Sequence, residues 1–302
     1  MLSAIFPAAT EQSLNVVKNF IFVNFNWVYV WAVTLFVIFL IYIMASSYGK
    51  IKLGSNDSKP SYSFFSWISM LFAAGMGIGL MYFSVAEPMQ HYSEGVFSAL
   101  PPVKRAQNAQ LYTFFHWGIH AWAIYGVVGL SLAYFSYRYR LPLSLRSCFY
   151  PLLKNKIKGK WGDAIDVFAL CSTFFGITTT LGFGVVQINS GLVNVHLLPD
   201  TGFVYQVLIV GVLVTLSVLS AISGVDKGVR ILSNLNVVVV IILLLLVLAL
   251  GPTIYLIGSF TEGIGNYINS FFSLTFNTHV YEDNTQQWFY DWTILYWAWW
   301  IS

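Results

Sequence analysis

Charged side chains are absent from seven stretches of this chain: 19–49, 60–86, 106–137, 167–199, 201–225, 231–261 and 292–302. A helix that crosses a bilayer needs about 20 mostly apolar residues. Six of the stretches are that long, and the seventh ends with the chain at Ser302. The pattern predicts an all-α polytopic membrane protein. Its spans fall at 27–47, 64–86, 112–137, 164–195, 205–223 and 232–257, and a seventh begins near Gln287. A membrane barrel would instead show alternating segments of about ten residues. The fourth span is long enough to be tilted or broken. The aliphatic run 237–247 in the sixth reads as lipid-facing, and 260–276, polar on one face, as a helix along the outer surface. No internal repeat of 20–50 residues breaks the chain, so 1–302 is expected to form a single transmembrane domain.

Composition agrees with this pattern. Charged residues make up 9% of the chain, against about 25% in soluble proteins, which excludes an ordinary soluble enzyme. Only Cys148 and Cys171 are present, so a disulfide framework and a four-thiolate metal site are excluded as well. The positive charges set the orientation. Loops after the first, third and fifth spans hold 12 of the 15 Lys and Arg, which places those loops in the cytoplasm and the N-terminus outside. Residues 1–18 lack the basic start of a signal peptide. The last residues, 291–302, stop about half-way through a helix whose final carbonyls need partners. Both features read as a piece of a longer protein from which a preceding span is missing.

Candidate chemistry lies inside the spans. The second contains Ala73-Ala-Gly75-Met76-Gly77-Ile-Gly79. Gly75-x-x-x-Gly79 is the spacing of close helix packing. Alternate glycines, each weakening a helix by about 1 kcal/mol relative to Ala, fit an unwound segment better. Its freed carbonyls would bind an ion, and its N–H groups an anionic ligand group. A nucleotide-binding loop is excluded because no strand precedes the glycines and no Lys is in reach, and no nucleic-acid partner is expected. In the third span, Trp117, Trp122 and Tyr125 fall within an arc of about 140°. The seventh adds Trp292, Tyr296, Trp297, Trp299 and Trp300. Trp117 alone fits an interfacial belt; Trp122 and Tyr125 lie deeper. So many intramembrane aromatics point to a cage for a quaternary ammonium group, held by cation–π attraction. His116 and His120, one turn apart, form either a metal or haem pair or a polar helix contact. The lack of an accompanying Cys or carboxylate favours the contact. Thr178, Thr179 and Thr180 either bond back to their own helix or offer oxygens to a sodium ion.

Two of these motifs are long enough to be distinctive. Gly75-Met-Gly-Ile-Gly-Leu-Met-Tyr-Phe-Ser-Val-Ala-Glu-Pro88 resembles the signature helix of the betaine/choline/carnitine transporter family. Trp292-Thr-Ile-Leu-Tyr-Trp-Ala-Trp-Trp-Ile-Ser302 is similar to its tryptophan motif, and 116–125 and 176–187 fit the same pattern. The resemblance implies twelve helices around two inverted five-helix repeats of the sodium/amino-acid symporter type. This chain would hold the first repeat and the start of the second. The resemblance also implies an aromatic box of Trp117, Trp122, Tyr125 and Trp300, with Trp299 and Trp297 lining the route to it. Gly75, Gly77 and Gly79 would face the substrate carboxylate. Carbonyls of Ala73 and Met76 would serve one sodium site, and hydroxyls among Thr178, Thr179 and Thr180 a second. A homotrimer in the cell (inner) membrane follows by the same resemblance. Proton-coupled choline members carry Asp where this chain has Gly79.

The expected function is therefore import of a quaternary-ammonium osmolyte, glycine betaine first, by sodium symport. No enzymatic activity and no cofactor are expected; sodium is the coupling ion. The partners are the substrate, sodium and the lipid bilayer. A choline or carnitine carrier of the same family is the nearest alternative. A redox or metal protein built on His116 and His120 is the alternative of another class. An ion channel is disfavoured because no ring of charged or carbonyl groups is evident.

Overall fold

The computed structural model describes residues 6–75, 77–282 and 285–301. All regular structure among them is helical. The main helices are α1 (Pro7–Ala45), α2 (Phe64–Gly75), α3 (Ile78–Ser93), α4 (Pro102–Trp117), α5 (Ile119–Ala133), α6 (Lys160–Asn194), α7 (Phe203–Ile222), α8 (Arg230–Leu250), α9 (Thr253–Phe276), α10 (Gln286–Phe289) and α11 (Leu295–Ile301). A π-helical segment, Tyr290–Ile294, joins the last two.

Among the described residues, five helical stretches are long and apolar enough to cross a membrane: Ala8–Ala45, Pro102–Arg138, Lys160–Asn194, Phe203–Ile222 and Val225–Leu250. The second apolar stretch is missing from this set for a local reason. It is interrupted at the glycines, and its halves, α2 and α3, have 12 and 16 residues. The third span is also interrupted, at Gly118. The fourth is unbroken over 35 residues. The sequence pattern ends the second span at 86; α3 continues through Pro88 to Ser93. The first span starts earlier than its apolar run requires. At 39 residues and 1.5 Å per residue, α1 is about 58 Å long, well beyond a hydrocarbon core of about 30 Å.

The chain divides into two compact units. Unit 1 comprises Met1–Leu53, Gln90–Cys148 and Gly265–Ser302. Here α1 packs on α5 and on the π-helical segment, and α11 packs on α5. The core is aromatic and β-branched: Val30, Val33, Phe115, Ile124, Ile294 and Trp297 are each at most 3% exposed.

Unit 2 comprises Gly54–Met89 and Phe149–Ile264. In it α2 packs on α8, and α7 on α6. Asn234 Nδ2 donates to Ser66 Oγ at 3.1 Å across the first pair. Phe183 of α6 meets the rings of Tyr82 and Phe83, each at 5.2 Å. A 3₁₀ segment, Lys154–Lys158, is pinned beneath the first turn of α6 by buried Ile157. Gly162 is required there, because a Cβ on it would collide with the Ile157 carbonyl. Elsewhere this unit turns its apolar side chains outward. None of the 20 residues of α7 is buried, and Leu244 and Leu245 of α8 are each more than half exposed. Water would penalise such a surface; hydrocarbon does not, provided the backbone is satisfied within its own helix.

Candidate substrate site

Gly118 divides the third span. Its ψ of −143° takes it out of the helix between α4 and α5. Any larger residue is excluded: an added Cβ would press on the Phe114 carbonyl and lie 2.8 Å from the Tyr267 hydroxyl. Helical bonding resumes with the Trp122 N–H donating to the Gly118 carbonyl at 3.2 Å.

Trp117 is the last residue of α4, and Trp122 lies in the first turns of α5. On a straight helix, five residues turn through about 140°, and two such rings would diverge. Across the break they converge on Trp300 of α11. Trp117 meets Trp300 at 5.8 Å with planes inclined at 71°, and Trp122 meets it at 5.8 Å and 58°. Tyr125 adds its ring edge-on to Trp122 at 5.7 Å. All four rings are only half-buried, whereas Phe115, His116, His120, Ala121 and Ile124 beside them are buried. The group therefore keeps open ring surface on one side of a packed core.

The other seventh-span aromatics occupy different places. Trp299 is half-buried, with its ring 6.5 Å from Trp117 and 6.1 Å from Tyr296. Trp297 is 1% exposed and stacks on His120 at 6.0 Å and 21°, with Phe115 at its edge. The π-helical turn before α11 advances the register by a fraction of a turn, a device common at functional sites.

His116 and His120 are both fully buried. Nε2 of His116 hydrogen-bonds the Thr293 hydroxyl at 2.8 Å, and Nε2 of His120 the Thr275 hydroxyl at 2.8 Å. These bonds tie α4 to the last span and α5 to α9, the arrangement of a polar helix contact.

The glycine motif lies in unit 2 and is described by itself. Here α2 ends at Gly75, Gly77 sits in a bend, and α3 starts at Ile78 with Gly79 buried in its first turn. Met76 lies outside the described residues. Ala73 is in the last turn of α2, where carbonyls run out of helical partners. The first turn of a helix such as α3 presents N–H groups that lack intrahelical partners, and the positive end of a dipole. Opposite ends of two half-helices thus meet around one short break. Thr178 and Thr180 bond back to the Phe174 and Gly176 carbonyls at 2.7 and 2.9 Å. Thr178 and Thr179 are exposed, and Thr180 is half-buried.

Two residues that pattern reading passes over are built into unit 1. His91 is 1% exposed, sits 4.4 Å from Trp292 ring to ring, and accepts from the Trp288 indole N–H at 3.4 Å. Tyr267 bonds at the Gly118 break. A lone His or Tyr at the end of an apolar run carries no local signal of such a role.

Known proteins carry related sequences. The family model for betaine/carnitine/choline family transporters (BCCT) matches residues 1–302. An uncharacterized transporter of Haemophilus influenzae is 52% identical over 98% of this chain and 44% of its own length. A glycine betaine transporter of Acinetobacter baylyi is 47% identical over the same shares. A high-affinity choline transport protein of Escherichia coli is 41% identical over 92% of this chain and 41% of its own. The chain spans less than half the length of these relatives. With matched residues running from its first position to its last, the chain belongs to the betaine/carnitine/choline transporter family.

Proposed function

We propose that this chain forms part of a secondary transporter that imports glycine betaine with sodium across the cell (inner) membrane. The observation that carries the reading is the convergence of Trp117 and Trp122 on Trp300, with Tyr125 against Trp122. A trimethylammonium group has no N–H to donate, and aromatic faces attract it through their quadrupole. Names borne by relatives, a glycine betaine transporter and a choline transport protein, point to the same ligand chemistry.

For the carboxylate and the ion, the candidates are the backbone groups at the glycine break, taken by itself. N–H groups at the start of α3 suit a carboxylate, and carbonyls at the end of α2, Ala73 among them, suit a sodium ion; the resemblance adds the carbonyl of Met76. Hydroxyls of Thr178, Thr179 and Thr180 are the candidates for a second ion; to ligate it they would accept the ion on lone pairs left free by their helix bonds. Gly79 separates the two substrate readings. Choline has no carboxylate and gains from a fixed anion, whereas betaine would be repelled by one.

The test uses the full-length transporter in proteoliposomes. Betaine uptake is expected to require an inward sodium gradient, and Gly79→Asp is expected to raise the KM for betaine at least tenfold. Betaine uptake at full rate in sodium-free buffer would overturn sodium coupling. Choline uptake that outcompetes betaine would shift the substrate to choline.

A further inference from the structure

We propose that Tyr267 is a positioning residue for the aromatic cage, acting by holding open the helix break on which the cage depends. The inference rests on the cage reading above and adds a residue 142 positions beyond Tyr125 in the sequence.

In an unbroken helix the Ile119 N–H would bond to the carbonyl four residues back. At the Gly118 break that N–H instead donates to the Tyr267 hydroxyl at 3.1 Å. The ring of Tyr267 is 8% exposed and belongs to the hydrophobic core of unit 1. Its hydroxyl and Cζ would lie 2.8 and 3.1 Å from any Cβ at position 118. Glycine and tyrosine therefore fit as a pair: the missing side chain of one makes room for the hydroxyl of the other. A second contact fixes the same helices, where Thr275, about two turns further along α9, bonds His120. The tyrosine is thus held in place, and its hydroxyl meets a backbone donor that the bend at Gly118 exposes. Buried donors left unpaired are strongly disfavoured, so the hydroxyl stabilises the broken form of the span against the continuous one. Only the broken form brings Trp117 and Trp122 onto a common ring.

Tyr267 touches no proposed ligand position, so its effect should appear in substrate affinity through the geometry of the tryptophans. Tyr267→Phe keeps the ring and its packing and deletes the oxygen. In the full-length protein in proteoliposomes, the KM for betaine is expected to rise about 5- to 10-fold, the range for one lost hydrogen bond, with Vmax per inserted protein within about twofold. Leu274→Ala, a core truncation on the same helix, serves as the structural control. It is expected to lower the unfolding temperature and leave KM unchanged. Trp122→Leu, measured in parallel, reports on the cage itself. An unchanged KM for Tyr267→Phe while Trp122→Leu raises it would leave the cage standing and overturn the role of Tyr267. An equal rise for Leu274→Ala would reduce that role to general stability and overturn it too. An unchanged KM for Trp122→Leu would remove the cage and this inference together.

Discussion

At the residue scale, the distinctive property of a methylated ammonium ion is what it lacks. Without N–H groups it gains nothing from carboxamides or hydroxyls that a hydrated cation would not gain from water. Attraction to an indole face then depends on the quadrupole, and a leucine of similar bulk cannot replace it. Trp300→Leu and Trp122→Leu are each expected to lose about 1–2 kcal/mol of apparent affinity, or roughly 5- to 30-fold. Trp300→Phe should lose less, because a smaller face remains. Trp31 is the control: it is 54% exposed on α1 and packs edge-on to Phe276 at 5.7 Å, and it is not among the proposed cage residues. Trp31→Leu should leave the KM unchanged, and an equal loss there and at Trp300 would reduce the cage to ordinary packing. A second residue-scale case lies outside the spans. The hydrogen bond from His279 Nδ1, 3.0 Å long, holds the Glu282 carboxyl below its ordinary value of 4.5, with the His279 charge and a Thr285 bond adding to it and burial opposing it. A lowered folded value means that the stabilisation is complete above 4.5 and lost as pH falls through the folded value. Glu282 is half exposed, so the contribution is a few tenths of a kcal/mol. The unfolding temperature measured between pH 6 and pH 3.5 should fall slightly less in Glu282→Gln than in the parent.

At the element scale, the breaks matter more than the helices. Apolar runs were legible in the sequence because hydrocarbon selects them directly, and the glycines at 75, 77 and 79 signalled an interruption through their number. Gly118 did not. It is a single glycine inside an apolar pattern that continues on both sides, and such glycines are also tolerated within helices. What breaks the helix there involves a hydroxyl contributed from 149 residues further along, which local periodicity cannot contain. The aromatic residues proposed for the cage were legible by type, but not the bend that lets Trp117 and Trp122 share a neighbour. The fourth span shows the reverse: its length raised the prospect of a break, and it is a continuous helix in which Thr178 and Thr180 bond back to their own backbone. Gly162 offers a test of an element boundary free of the transport question. Its replacement by Ala forces a Cβ against the Ile157 carbonyl, and backbone cannot yield as a side chain does. Gly162→Ala is expected to destabilise unit 2 by about 1–3 kcal/mol, seen as a lower unfolding temperature in detergent. An unchanged temperature would mean that the 3₁₀ segment shifts freely.

At the scale of the whole molecule, charge decides what packing cannot. Outward apolar side chains on α7 and α8 establish that lipid surrounds those helices, but both membrane orientations bury them equally well. The asymmetry of Lys and Arg breaks the tie. Lys154, Lys156, Lys158 and Lys160 lie at the same end of α6, all exposed and ordered around buried Ile157. The opposite side carries only Lys18, Lys104 and Arg105, and Lys18 is paired with Asp291 at 3.1 Å. Basic residues near span ends resist translocation, so the lysine-rich end is expected in the cytoplasm and the connection after α9 outside. Accessibility tests this in the full-length protein after Cys148 and Cys171 are replaced by Ser; Cys171 is exposed and would otherwise react. Lys156→Cys should be labelled by a membrane-impermeant maleimide only from the cytoplasmic face. Tyr281→Cys, at a position 98% exposed, should be labelled only from outside. The reverse result at both positions would invert the topology and, with it, the direction in which the charge pattern orients the transporter. Labelling of both positions from one side would be a stronger objection, because three crossings separate them if α6, α7 and α8 each cross once and α9 lies along the surface.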